Sequence, residues 1–365
     1  MVKVTLKQIA EQAGVSLTTV HRVLNGKGGC SKEVEKKILR IAKEQGYAVN
    51  VAANNLRKQP LHIALVFPIQ GKSGHYFVNR ILQGYLSCRN ELSQMNVVFQ
   101  EFYYGMSGDI EGAYSEQEEI LKKIYREQPV HYDGVVIYGL GINPRAEALL
   151  NRIVGSGTEV VVLERCPEGL EDVCSTEVND AVAGNLAADL LVQSLHGSGD
   201  VLILSQELPD GDPNGETCEA CIRRERPECE VRHIPMKLAD DQWELVAGYL
   251  RQYPHVRAAY ATSARHTDSL LKALEKTGIR LDVVIGSELF EESYQALHQR
   301  KLSAVIDKRP EQLGYKALHL LFSALTRKED LPTVHKVTPR IILRANSDIY
   351  FVDKENLYGK THYPE

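Results

Sequence analysis

The chain has 365 residues, 43% hydrophobic and 25% charged; that is too long for one ordinary core, and the composition is globular rather than disordered or fibrous. No apolar run is long enough to span a bilayer, and the first residues lack the apolar block of a secretion signal, so a cytoplasmic protein is expected. The formal net charge of −5 divides unevenly, residues 1–60 carrying +7 and the remainder −12, the balance of a nucleic-acid reader joined to a different kind of module.

The seven cysteines are odd in number and irregularly spaced, which argues against a disulfide framework and fits a reducing compartment. Along the chain, residues 5–25 read TLKQIAEQAGVSLTTVHRVLN. Apolar Ile9, Ala10 and Ala13 recur at helical spacing, Gly14 interrupts, and Val20, Val23 and Leu24 resume the period. The pattern predicts two short amphipathic helices joined by a tight turn, with Ser16 capping the second. A third helix starts at Ser31, with an apolar stripe of Val34, Ile38, Ile41 and Ala42, and ends at Gly46. Residues 50–57 can form a helix but are shorter than the ~12–15 residues an isolated helix needs.

From Leu61 the pattern changes to short apolar runs alternating with helical stretches. Strands are expected at LHIALVFP, VVFQEFYY, GVVIYG, EVVVLE, DVLILS, EVRHIP, RAAYAT, DVVIGS and SAVID. Helices are expected over 75–94, 116–127, 145–153, 180–194, 216–225, 241–252, 266–277, 291–299 and 311–326. The tail TVHKVTPRIILR adds one or two strands. Such alternation means parallel sheets covered by helices. The strands are too many for one sheet, so the expected fold is α/β: a helix-turn-helix head and two doubly wound parallel-sheet lobes.

The head presents Leu17, Thr18, His21 and Arg22 outward, because Val20, Val23 and Leu24 face in. Arg22 suits a bidentate contact to guanine, Thr18 can donate or accept, and Leu17 can touch a thymine methyl. Thr5, Ser16, Thr19 and Asn25 suit phosphates. The alternative is a helical hairpin used for protein contact, which the basic charge opposes.

These residues resemble the DNA-binding head of the lactose/galactose repressor family. The resemblance runs through SKEVEKKI and Gly46-Tyr47 to the hinge-like NVAANNL, and through IALVFP, YDGVVIYG, VVVLER, AGNLAADLL, VVIGSE and AVIDKRPEQLGYKALHLL to the family's sugar-sensor body. It is thin between Gln206 and Thr277. It implies that Leu17, Thr18 and Arg22 read bases, and that hinge residues Asn50, Ala53 and Leu56 reach DNA. Leu56 stands at the family's wedge position, where an apolar side chain opens a base step; otherwise it packs the linker. Small Ala52 and Ala53 allow two hinges to approach, which implies a homodimer on a near-palindromic operator. His21 and Val49 stand where the family usually has Ser and Pro. Ser263-Ala264 replaces its common Asn-Asp pair, and its usual Arg near Asn214 is absent.

The implied domains are 1–49 (helix-turn-helix), 50–60 (hinge), 61–162 plus 290–327 (first lobe), 163–289 plus 328–352 (second lobe) and 353–365 (tail). Candidate ligand residues are His75, Tyr76 and Phe77, whose aromatics could stack on a sugar. Arg165, after the VVVLE strand, matches a position where the family often places an arginine at the inter-lobe crossover. Asp307, Tyr138, Asn214 and Glu288 are placed by strand-end logic. For Phe77 the competing reading is ordinary core, and for Tyr138, Asn214 and Glu288 a solvated surface. Cys218, Cys221, Cys229 and His233 have zinc-like spacing; against that, Cys218 and Cys221 would line one buried helix face. Gly71-Lys72-Ser73 lacks the glycine that a phosphate loop needs at position 66, where Val stands. No catalytic motif and no cofactor are expected. The implied function is a DNA-binding regulator controlled by a carbohydrate bound between lobes. The rival classes are a solute-binding protein, which the basic head opposes, and a sugar-processing enzyme, which would need motifs the chain lacks.

Overall fold

A computed structural model describes residues 6–24, 30–44, 59–69, 76–105, 110–126, 131–139, 142–197, 199–207, 211–237, 241–327 and 329–351. The expectations for Thr5, Asn25, the hinge residues Asn50, Ala53 and Leu56, His75 and the 353–365 tail lie outside these residues. The chain forms two compact units, a head up to Pro60 and a body from Leu61.

In the head, α1 (Leu6–Ala13), α2 (Leu17–Leu24) and α3 (Lys32–Glu44) close on Ile9, Ala10, Ala13, Val20, Val23, Ile38, Ile41 and Ala42, all buried. Gly14 makes the turn at φ +70°, a conformation that costs a residue with a Cβ. The Ser16 hydroxyl accepts the Thr19 N–H at 3.1 Å and so caps α2. Lys37 donates to the Ala13 carbonyl at 3.0 Å, satisfying one of the free C=O groups that end α1.

The body runs through β1 (Leu61–Ile69), α4 (Tyr76–Glu91), β2 (Val97–Gly105), α5 (Ile110–Arg126), β3 (Gly134–Tyr138), α6 (Pro144–Gly155), β4 (Glu159–Leu163) and β5 (Cys174–Val178). It crosses to α7 (Asp180–Ser194), β6 (Asp200–Gln206), α8 (Pro213–Glu225), β7 (Val231–Met236), α9 (Trp243–Gln252), β8 (Val256–Ala261), α10 (Ala264–Thr277), β9 (Val283–Ser287), α11 (Glu291–His298) and β10 (Ala304–Asp307). It returns for α12 (Pro310–Arg327) and β11 (Val334–Val337), then crosses once more for β12 (Arg340–Ile342) and α13 (Ser347–Tyr350). The sheets have strand orders β11-β5-β4-β3-β1-β2 and β12-β10-β9-β8-β6-β7. In the second, β12 pairs antiparallel with β10, while β6–β10 pair in parallel. The central strands β3, β9 and β10 are buried along their whole length, as sheets covered on both faces require.

This corrects the lobe boundaries expected from sequence. Residues 174–178 and 334–337 belong to the first sheet, and 304–307 to the second. The chain therefore changes lobe at 178–180, 307–310 and 337–340, not at 163, 290 and 328. The 333–344 tail is split between the sheets because its two strands find different partners. Strand order reverses at β3/β1 in one sheet and at β8/β6 in the other. Ligands bind outside the carboxyl ends of strands at such switch points.

Candidate functional site

The head exposes one face of α2. Val20 and Val23 are buried, while Leu17 is 51% exposed and Thr18 and Arg22 are exposed beside it. Ser16 and Thr19 bond to each other at 2.8 Å at the helix start, where free N–H groups favour a phosphate. The His21 side chain lies outside the described residues.

In the body, the carboxyl ends of strands from both sheets carry a cluster of charges. Tyr76 opens α4 in the first lobe, and its ring centroid lies 5.9 Å from that of Phe290 in the second. Arg80, one turn on and buried, donates to the Tyr76 hydroxyl at 3.0 Å and pairs with Glu311 at 3.1 Å. Asp307, which ends β10, is buried and is held by Arg340 at 2.6 Å. Arg340 also approaches Glu311 at 3.5 Å and stacks over Tyr350 at 3.8 Å. Lys308, the next residue, lies 3.9 Å from Asp180. Burial would lower its pKa, but Asp180, Glu288, Asp212 and Glu164 hold it up.

Several of these groups are incomplete. Glu288 is 1% exposed, and neither carboxylate oxygen has a hydrogen-bond partner. Burial and neighbouring Asp307 push its carboxyl well above the usual range. Glu164, after β4, has an unpartnered Oε1. Burial and then Asp180 push it up to about 8. Asn214 accepts from the Tyr260 hydroxyl at 2.9 Å, and its amide nitrogen has no partner. His266, buried and 3.4 Å from the Thr262 hydroxyl, is lowered by burial to about 4. Unsatisfied buried polar atoms are rare in folded proteins, and a cluster of them marks a place where something else binds.

The expected ligand residues thus divide. Tyr76 has Asp307 and Glu288 among its charged neighbours, while Tyr138 ends β3 and Asn214 lies in the first turn of α8. Tyr138 is buried against Phe67, ring centroids 5.4 Å apart; its electrostatic neighbours include Glu164 and Arg265. The solvated-surface alternative for Tyr138, Asn214 and Glu288 does not hold, since all three are buried. Arg165 is exposed at the rim, and Phe77 is half-buried on α4. Arg80, Glu164, Lys308, Glu311 and Arg340 escaped the sequence reading. Lys308 and Glu164 each directly follow a strand, a signal that was available.

The zinc-like set is not assembled. Cys218, Cys221 and Cys229 pack in the core under β6 and β8, and burial pushes the Cys218 thiol upward. His233 instead bonds Ser205 through Nδ1 at 2.7 Å, and its Nε2 lies 2.9 Å from a Glu219 carboxylate oxygen. Among the described residues no group of three His, Cys, Asp or Glu side chains could hold a metal.

Comparison with known proteins agrees with this geometry. Residues 5–50 match the model of "Bacterial regulatory proteins, lacI family", and residues 131–329 that of the "Periplasmic binding protein domain". The "Probable HTH-type transcriptional repressor ExuR" of Bacillus subtilis is 28% identical over 197 residues, 53% of this chain; that match spans about half of the relative, 52%. The transcriptional regulator RegA of Clostridium saccharobutylicum is 27% identical over 332 residues, 89% of this chain and 93% of that protein. The body is folded like AraP, an arabinose binding protein from Geobacillus stearothermophilus, with a TM-score of 0.63 at 19% identity over 81% of this chain and 100% of that one. No described helix is long and apolar enough to cross a membrane.

Proposed function

The chain belongs to the lacI-type bacterial regulatory proteins with a periplasmic-binding-protein domain, and from that premise we propose that it is a transcriptional repressor whose operator affinity is set by a carbohydrate held between the two lobes. The observation that carries this reading is the pairing of two half-finished surfaces in one chain. α2 shows Leu17, Thr18 and Arg22 to solvent over a closed core, and the strand ends of the body bury polar atoms that lack partners.

The protein acts in the cytoplasm as a homodimer, since a helix-turn-helix reads a near-palindrome as two half-sites. The two relatives described above are named as a transcriptional repressor and a transcriptional regulator. Ligand acts through its differential affinity for two arrangements of the lobes, and closure around it shifts the population toward one.

The test is operator selection with the full chain, followed by Arg22→Ala on the selected site. Loss of a bidentate base contact should weaken binding by about 1–3 kcal/mol and relax preference at one base step. Unchanged binding by that variant removes Arg22 from the reading surface, and failure to select any site overturns the repressor reading.

A further inference from the structure

One buried carboxyl narrows what the cleft can hold, granted the proposed reading of the cleft as an effector site. Glu288 directly follows β9, and its backbone is pinned on both sides. Its N–H donates to the Ile306 carbonyl at 3.1 Å. Its own carbonyl accepts the Ser293 hydroxyl at 2.9 Å, and that hydroxyl oxygen takes the Phe290 N–H at 2.9 Å. The residue is 1% exposed, yet neither side-chain oxygen has a hydrogen-bond partner. A fixed backbone thus carries a buried carboxyl that no described residue satisfies, which is rare unless a ligand completes it.

The neighbours of that carboxyl decide its charge. Burial acts on it most, then Asp307, with which it shares a hydrogen bond. Asp307 is committed as a carboxylate: Oδ2 accepts Arg340 Nε at 2.7 Å and Nη2 at 2.6 Å, and Oδ1 accepts the Arg309 N–H at 3.3 Å. The other charged groups acting on Glu288 are Lys308 beside Asp307 and Glu311 of α12. From α4, Tyr76 feels both carboxyls, and Arg80 is bound to Glu311 at 3.1 Å. Lys308 is divided among Asp180, Asp212, Glu164 and Glu288. Two carboxyls side by side and shut off from water do not both ionise. Asp307 holds the arginine, so Glu288 holds the proton. With Lys308 and the buried Nε of Arg309 on the same crossing, the surroundings are mixed in sign rather than acidic.

We propose that Glu288 meets the effector as an uncharged carboxylic acid, giving its O–H to one ligand oxygen and accepting a ligand hydroxyl on its C=O, so that the group seated there is a neutral hydroxyl or hydroxyl pair of a sugar. A ligand ammonium finds no charge to neutralise at a carboxyl that already carries a proton. A ligand carboxylate meets Asp307 and Glu311 in a poorly screened site. A hydroxyl donates and accepts at once, as the uncharged acid does.

Infrared difference spectra of the full chain test the proton, and sugar titrations test its use. Subtracting Glu288→Gln from the unmodified protein at pH 7 should leave the band of one un-ionised carboxyl; a carboxylate band in its place overturns the assignment. Should that variant fail to fold, Glu164→Gln removes the carboxyl whose value is pushed up to about 8, and an un-ionised band must survive in it. Thermal-shift screening of glucose, galactose, mannose, arabinose, ribose and xylose, with glucosamine and glucuronate as charged counterparts, selects the sugar for calorimetry. A neutral sugar should bind best, and Glu288→Gln, which keeps a donor beside an acceptor, should hold its affinity within ~3-fold, whereas Glu288→Ala should lose at least ~10-fold. If a charged sugar binds best, or folded Glu288→Gln loses ~10-fold or more, the ligand reads charge and the assignment is wrong while carbohydrate control survives. If folded Glu288→Ala binds as the parent does, Glu288 is not the recognising group and the assignment is withdrawn. If none of these sugars binds, the carbohydrate-effector reading falls and takes the assignment with it, whichever band the infrared shows.

Discussion

Glu164, Glu288 and Arg309 share an uncommon backbone: φ is +69°, +66° and +58°. Each stands one or two residues past a strand of the cleft. None is glycine, so each conformation costs on the order of 1–3 kcal/mol. The strain re-aims the chain at the point where a side chain must turn inward. At the end of β4 it separates neighbours of opposite fate, since Glu164 has its Oε1 buried while Arg165 is exposed. The family resemblance pointed to Arg165, and the strand-end position of Glu164 beside it was passed over. The trapped carboxyl yields a pH prediction. In the fold Glu164 keeps its proton to about pH 8 against an ordinary value of 4.5. Between these limits the folded chain holds more protons than the unfolded one, so stability falls as pH rises. His266 works in the opposite sense: its pKa of about 4 lies below the ordinary 6.5, so its neutral burial costs stability as pH falls through 6.5 toward 4. Between pH 6.5 and 8 only the Glu164 slope of this pair remains. Urea unfolding of Glu164→Gln should lose part of that slope and gain on the order of 1–4 kcal/mol at pH 8. A slope identical to that of the unmodified protein would show that the carboxyl is already ionised.

At the scale of elements, the first lobe depends on two helices that touch backbone to backbone. A Cβ on Gly84 of α4 would lie 1.8 Å from the Glu311 carbonyl oxygen, and one on Gly314 of α12 would lie 1.9 Å from that of Ile81. The glycines are reciprocal, each making room for the other helix. The contact brings Glu311 within reach of Arg80 and Arg340. Gly84→Ala and Gly314→Ala should each cost about 3 kcal/mol or more, because the obstructing atom is a helical carbonyl that cannot rotate away. Thermal melts should show a drop of several degrees for either variant, and a melt within one degree of the parent would mean that the helices can slide apart freely. Helical periodicity announced both helices, and apolar runs announced most strands, because these signals are local. β5 went unseen because Cys174, Ser175 and Thr176 are buried without forming an apolar run. Its hydroxyls are satisfied in place, Ser175 by Glu177 at 2.7 Å, so burial left no mark in the hydropathy pattern. Membership of a sheet was not legible either. β10 and α12 are adjacent in sequence, yet one belongs to the second sheet and the other packs on the first. That choice is made by pairing partners far away in the chain.

For the whole molecule, three chain crossings join the lobes, at 178–180, 307–310 and 337–340. All three run past charged members of the cleft: Asp180 at the first, Asp307, Lys308 and Arg309 at the second, and Arg340 at the third. The segments that would flex when the lobes close are therefore themselves part of the ligand wall, so occupancy of the cleft and lobe geometry are one equilibrium. Operator affinity changes only by the difference in ligand affinity between the two arrangements, and the coupling is reciprocal. If effector lowers operator affinity by some factor, saturating operator must lower effector affinity by the same factor, and a typical coupling of ~1–3 kcal/mol makes it about 5–150-fold. The check is to titrate effector into the full chain with and without saturating operator duplex, and to compare that ratio with the one measured for operator with and without effector. Equal ratios are what linkage requires whatever carries the coupling, and their size is the coupling free energy between the cleft and α2. A ratio near one in both titrations would overturn control of operator binding from the cleft.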